Sequence, residues 1–179
     1  HKMSLQIGKT DAELGYKVEE YLISKGVHTP IVLDRLGVKD ERKIAKIEKN
    51  FAVIMETLGL DLTDDSLIDT PKRVAKMFVN EIFRGRYYPP PCVTAFPNAK
   101  QYDQIYMSGP ITINSTCAHH FQAISGKAYV GIFPGNKVIG LSKFNRMVDW
   151  VASRPQIQEE MTEQIADMIE KETEAKGVA

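Results

Sequence analysis

The stretch PITINSTC, residues 110–117, alternates apolar and polar positions. On an extended chain Ile111, Ile113, Ser115 and Cys117 share one face, and Thr112, Asn114 and Thr116 share the other. That period of two is the pattern of a half-buried strand. A second strand is expected at about 127–133, Lys-Ala-Tyr-Val-Gly-Ile-Phe, because Ser125-Gly126 and Pro134-Gly135-Asn136 on either side are turn signals. YYPPPCVTAFPN, residues 87–98, is too rich in proline for a helix and reads as a loop with a short edge strand.

Outside this middle section the period is helical. Thr10 and Glu13 form a capping-box pattern, followed by Leu14, Val18 and Leu22 on one face and Gly26 as a stop. After a proline-containing connection over 27–39, Ile44, Ile47, Phe51, Ile54 and Leu58 recur at helical spacing until Gly59. Thr70-Pro71 is expected to start a third helix, cap then proline, that buries Val74, Met77, Phe78 and Ile82 and ends at Gly85. Beyond the strands, Ser142 is expected to cap a helix with Phe144, Met147, Val148 and Val151 inward as far as Arg154-Pro155. The last helix carries Ile157, Met161, Ile165 and Met168 and stops near Gly177, with Gly177-Val178-Ala179 the first step of another strand. The class is therefore α+β. His1-Lys2-Met3 reads as a tag remnant and start, so His1 is excluded from any site; residues 4–86 form a helical region and 87–179 the strand-containing domain.

Bulk properties narrow the partners. Lys plus Arg and Asp plus Glu both number 23, so the net charge is zero and neither a nucleic-acid nor a membrane partner is implied. Any basic site must be local. Two cysteines, Cys92 and Cys117, are too few for a disulfide framework and fit a reducing cytoplasm. No apolar run approaches the roughly 20 residues of a membrane span.

Three constellations carry chemistry. Cys117 and His120 have the C-x-x-H spacing that lets sulfur and nitrogen face one zinc ion from a tight turn, with His119 beside them for proton transfer. On a regular strand Cys117 and His119 would share a face, so a metal at Cys117 and His120 requires a bend or bulge there. The alternative is a strand end with satisfied histidines; His28 and Cys92 are distant and read as structural. In GLSKFNR, residues 140–146, Ser142, Lys143 and Arg146 cluster at a helix start, an arrangement suited to a phosphate chain or to a solvated surface helix. Lys72, Arg73 and Lys76 form a further basic helix face. Gln158 and Glu159 open the last helix, where a carboxylate is either a first-turn residue or a match for the adjacent N1–H and amino donors of guanine.

Together the segments resemble the GTP cyclohydrolase I family. DDSLIDTPKRVAKMFVNEIF (64–83), STCAHHF (115–121) and VIGLSKFNRMVDWVASRPQIQEEMTEQI (138–165) occur in the family's order and spacing, and the GLSK-x-N-R and RPQ-x-QE strings are specific. The resemblance implies a tunnelling fold, an antiparallel sheet with helices on one side, behind an N-terminal helical arm. It implies a homodecamer of two pentamers, with active sites at subunit boundaries. It implies conversion of GTP and water to 7,8-dihydroneopterin triphosphate and formate. By the same resemblance Cys117 and His120 ligate Zn2+, and His119 shuttles protons. Ser142, Lys143 and Arg146 hold the ribose-triphosphate end, helped by Arg73 and Lys76. Glu159, with Gln158, reads guanine, and Leu141 packs near the base.

Two departures stand out. The family usually has Glu between the cysteine and the histidines, where this chain has Ala118; the lost carboxylate is expected to leave a neighbouring arginine, Arg73, without its partner. The family's third zinc ligand, a cysteine two residues after a histidine, falls beyond Ala179, as does a phosphate-binding arginine, so the chain reads as an interrupted family sequence. The competing readings are a homologue that binds GTP or a pterin without turnover, and a tunnelling-fold enzyme for a related pterin or deazapurine.

Overall fold

The fold is given by a computed structural model that describes residues 20–21, 23–26, 32, 35 and 37–179. Thr10, Leu14, Val18 and Leu22 of the expected first helix, and His28, lie outside the described residues. The elements in chain order are α1 (Asp40–Thr57), α2 (Thr70–Met77), a π-helical turn over Phe78–Ile82, α3 (Arg84–Tyr87), β1 (Ala95–Pro97), β2 (Tyr106–Cys117), β3 (Ala123–Phe133), β4 (Lys137–Ile139), α4 (Leu141–Ala152), β5 (Pro155–Gln156), α5 (Gln158–Thr173) and β6 (Gly177–Val178).

The alternation at 110–117 is the end of a longer strand. β2 and β3 form an antiparallel hairpin at the centre of a four-stranded sheet ordered β5-β2-β3-β6, while β1 and β4 pair separately. Between Ser108 and Ile111 the register shifts by one residue, from Val130 to Ala128 on β3. Three steps along a regular strand would point these two side chains to opposite faces; the bulge lets both turn inward, and both are buried. The Ser125-Gly126 turn expected from sequence does not form. Both residues lie inside β3, paired with Asn114 and Ile113, because the long β2 template offers ladder bonds there and the chain reverses at 118–120 instead. The short edge strand expected in the proline-rich segment is β1, paired with β4 through Ala95↔Ile139 and Phe96↔Val138.

One face of the sheet carries the core. Ile111, Ile113, Val130 and Ile132 meet Phe144, Met147, Val148 and Val151 of α4 and Met161, Ile165, Met168 and Ile169 of α5. Every inward residue expected of α4 is buried there, and the expected set on α5 is buried except for Ile157, which is half-buried. On the other face Met107 and Tyr129 are exposed, and Lys127 Nζ donates to Thr112 Oγ1 at 2.9 Å. α5 stops earlier than expected: Glu174 takes the left-handed C-cap position (φ 51°), and Gly177 already belongs to β6, which pairs with β3 through Ile132↔Val178.

The helices before the sheet depart more from expectation. In α1 the spacing is helical, but Met55 is its buried residue, and Ile54 and Leu58 point to solvent. Asp69, one residue before the expected Thr70, is the N-cap of α2, and the buried row is Pro71, Ala75 and Val79; Val74, Met77, Phe78 and Ile82 are half-buried. A regular helix to Gly85 is replaced by the π-helical turn and α3, which fit Gly85 against α4.

That contact joins the helical region to the sheet layer. Gly85 N–H donates to Ser153 O (2.8 Å), and the Arg154 guanidinium donates to Gly85 O (2.9 Å). Arg84 pairs with Asp149. Trp150 Nε1 donates to Tyr88 O (2.9 Å), and the Tyr88 hydroxyl donates to Asp40 Oδ2 (2.9 Å). Burial, and then the Asp40 carboxylate, push the Tyr88 hydroxyl up from its ordinary pKa. A Cβ on Gly85 would collide with the carbonyl oxygens of Trp150 and Ser153. Gly85→Ala should therefore cost about 1–3 kcal/mol and lower Tm by roughly 2–12 °C. Thermal unfolding followed by circular dichroism checks this, and an unchanged midpoint would contradict the packing.

Candidate active site

Cys117 ends β2 and begins the hairpin turn. Its N–H donates to Gln122 O (2.8 Å) and its carbonyl accepts from Phe121 N–H (2.9 Å), closing the turn Ala118–His120 at its base. The bend required between Cys117 and His120 is thus present, as a hairpin turn and not as a bulge within a strand. Cys117 is half-buried, and His119 and His120 are exposed, their rings 6.4 Å apart and edge-on. Phe121 sits at φ 55°, a left-handed conformation unfavourable for a bulky residue. Its ring is packed against Phe83 (5.7 Å) and Phe78 (6.4 Å), which fastens the turn to the end of the α2 segment.

β5 holds the other side of the turn. It runs parallel to the end of β2, Thr116↔Pro155 and Cys117↔Gln156, and Ala118 N–H donates to Gln156 O at 2.9 Å. Ile157 is then the N-cap of α5, whose first turn begins Gln158-Glu159-Glu160 with no side-chain cap bond. One two-residue strand therefore brings the Cys-His turn and the exposed Gln158 and Glu159 together. Gln158 also lines a groove of about 330 Å³ between β3 and α5, with Lys127, Tyr129 and Ile165.

The cationic residues lie elsewhere. Gly140, with extended backbone, is the N-cap of α4, and no side chain bonds to that end. Ser142 is therefore not the cap; it sits inside the first turn, because β4 runs straight through Gly140 into the helix. Leu141, Ser142 and Arg146 are exposed and Lys143 is half-buried. The uncapped N–H groups with a lysine and an arginine nearby suit an anion. On α2, Lys72, Arg73 and Lys76 line a recess of about 300 Å³ with Asp69. Arg73 is not left without a carboxylate: its Nη2 lies 3.5 Å from Asp69 Oδ2, four residues earlier. Both side chains are about two-thirds exposed, so that pair contributes little and leaves Arg73 available.

The two ends of α4 separate these groups. Its last residue, Ala152, is three residues before Pro155, beside the Cys-His turn, whereas Ser142 and Lys143 are in its first turn. Twelve residues at 1.5 Å each span about 18 Å. The cationic turn thus opens a helix about 18 Å long whose far end leads into β5, beside the Cys-His turn.

Cys117 and His120 are donors of the kind zinc takes, carried on one tight turn. Among the described residues no group of three or more His, Cys, Asp or Glu side chains is placed to hold a metal ion. The pair thus fits zinc by donor type and by its spacing on the turn, and the third protein ligand of a catalytic site is not among the described residues.

Sequence reading missed the residues that hold these parts in place. Arg154 is 2% exposed, with its guanidinium 4.0 Å over the Trp150 ring, and Gln156 and Gln164 are equally deep. Polar residues register as surface in any hydropathy pattern; the available signal was Arg154-Pro155 as a helix stop.

The family model for GTP cyclohydrolase I matches residues 47–179, well over half of the chain. The chain belongs to the GTP cyclohydrolase I family. GTP cyclohydrolase 1 of Aeromonas salmonicida (strain A449) is 48% identical over 163 residues, which are 90% of this chain and 74% of that protein. The Haemophilus ducreyi protein of the same name is 44% identical over 164 residues (91% and 74%), and that of Shewanella amazonensis 42% over 169 (94% and 77%). As a GTP cyclohydrolase I family member the chain is an enzyme, a hydrolase with the tunnelling fold, and the antiparallel β2–β3 hairpin with α4 and α5 on one face is its framework. The parallel partner β5 adjoins the Cys-His turn. No helix among the described residues is long and apolar enough to cross a membrane.

Proposed function

We propose that this chain hydrolyses GTP at C8 of guanine, opening the imidazole ring, releasing C8 as formate and giving 7,8-dihydroneopterin triphosphate after sugar rearrangement and reclosure. The observation that carries the reading is β5: one strand joins the Cys-His turn to the first turn of α5, which supports Glu159 presenting a base to Cys117 and His120.

Each residue then has a task. The Glu159 carboxylate accepts the N1–H and amino hydrogens of guanine as two parallel bonds, with Gln158 beside it and Leu141 against the base. Cys117 and His120 hold Zn2+, with a third protein ligand that is not among the described residues. Zinc supplies Lewis acidity, lowering the pKa of the attacking water. His119, exposed beside this pair, moves the proton that water gives up and returns one to the departing ring nitrogen. Ser142, Lys143, Arg146 and the uncapped α4 amides bind the triphosphate, and Arg73 and Lys76 add positive charge. Holding the substrate at both ends keeps the opened intermediate in register until reclosure.

The clamp residues Ser142 and Lys143 open α4 while the Cys-His turn adjoins its far end, an arrangement that favours a site whose clamp and Cys-His turn come from different copies. The reading therefore includes self-association with sites at subunit boundaries, and the resemblance to the family points to a homodecamer of two pentamers. Two free cysteines, one of them exposed, fit a cytoplasmic enzyme.

Base reading is tested by comparing GTP with inosine triphosphate, which lacks the 2-amino group. Losing one charge-assisted bond of about 1.5–3 kcal/mol should lower kcat/KM for formate release by roughly 10- to 150-fold. Equal turnover of both would remove Glu159 from its role, and GTP binding without formate release would leave a binding protein.

A further inference from the structure

Two amide side chains lie in the core between the sheet and α5. Gln156 is 0% exposed and Gln164 1% exposed. Gln156 Nε2 donates to Val151 O (2.6 Å) and to Gln164 Oε1 (2.9 Å). A carbonyl can only accept, so Val151 O fixes which way the Gln156 amide faces, and both of its hydrogens are used. Gln156 Oε1 is left without a hydrogen-bond partner among the described residues. Burying an unsatisfied oxygen is unfavourable, and an apolar side chain would fill the same volume without it.

What the pair fixes is the junction described above. The backbone of Gln156 meets Cys117 and receives Ala118 N–H on one side. Its side chain reaches back to the end of α4 through Val151 and forward to the second turn of α5 through Gln164. Glu159 lies between these anchors, three residues after Gln156 and five before Gln164.

We infer that Gln164 is a positioning residue: its bond to Gln156 sets the spacing between the Cys117–His120 turn and Glu159, and so the placement of guanine C8. The inference rests on the reading that this turn and Glu159 act on one base. Gln164 touches no substrate and acts through Gln156.

The test uses the full-length protein with zinc and GTP, measuring formate release, zinc per chain and Tm. Gln164→Met keeps the volume and removes the acceptor. Its kcat should fall about 10- to 100-fold, the scale expected of a small misplacement at the reacting atoms. KM for GTP should change by less than about threefold, because the triphosphate contacts are untouched. Gln164→Glu, which keeps an acceptor oxygen, should retain kcat within a few-fold. Gln156→Met removes the same bond from the other side, so the Gln156→Met, Gln164→Met double variant should fall no further than either single one. Should Gln164→Met not fold, Gln156→Met and its Tm-matched kcat carry the same test. Wild-type kcat in Gln164→Met with a lowered Tm, or strictly additive losses in the double variant, would overturn the inference and leave the GTP reading intact. A wild-type protein that binds zinc and GTP but releases no formate would overturn that reading, and this inference with it.

Discussion

Cys117→Ala and His120→Ala should each abolish zinc retention and lower formate release from GTP by a thousand-fold or more. The magnitude follows from the several kcal/mol of charge stabilisation a metal contributes, at about 1.4 kcal/mol per tenfold in rate. The fold should survive both changes. Cys117 is half-buried and His120 exposed, and the bonds that close the turn are made by backbone atoms of Cys117, Phe121 and Gln122. His119→Ala is the informative neighbour. A residue that moves protons without holding the metal should keep zinc at the wild-type level while losing about 10²–10⁴ in kcat. Metal analysis on the purified variants, beside formate release, separates the two roles of adjacent histidines. Zinc retained in His120→Ala and lost in His119→Ala would exchange their assignments.

The second large effect is one that recovers. His120→Ala lacks a competent turn, and the Lys143→Ala, Arg146→Ala double variant lacks the triphosphate clamp, so each alone should be nearly inactive. Mixed within one oligomer, some sites pair an intact turn from one copy with an intact clamp from the other. Random assortment gives about one quarter of wild-type activity, because each site draws its halves independently from a heterologous interface. The placement of the clamp and the Cys-His turn at opposite ends of α4, a helix about 18 Å long, is what favours this. Co-expression of the two variants and assay of the purified mixture checks it. A mixture no better than its components would mean that one chain supplies both halves.

The strand at 110–117 and the helices at 141–152 and 158–173 were legible because their apolar residues meet a core inside the chain, where period and burial agree. On α1 the helix was equally legible, but Ile54 and Leu58 are exposed: the pattern shows a face and not what covers it, and the described chain covers neither. The Cys-His turn was legible as spacing, and the bend it required is there. Its location was missed, since Ser125-Gly126 is a stronger local turn signal than Ala118-His119-His120 and lost to long-range pairing with β2. The helix starts at Leu141 and Gln158 needed no side-chain cap, so Ser142 could not be placed from capping preference. Least legible were Arg154, Gln156, Gln164 and Phe121. Three are polar residues buried where hydropathy predicts surface, Arg154 against Gly85 and Gln156 against Gln164, and the fourth is held in a left-handed conformation by aromatic contacts that cross from the sheet to the helical region.

The proposed chemistry turns on one atom, C8 of guanine. The direct measurement is to incubate the full-length, zinc-loaded protein with GTP labelled at C8 and to follow the label and the pterin product together. The account predicts that all of the label leaves as formate, one per GTP consumed, and that an equal amount of unlabelled product becomes a fluorescent pterin on oxidation. Label retained in a purine or pterin product, or GTP bound by the metal-loaded protein with no formate formed, would contradict it.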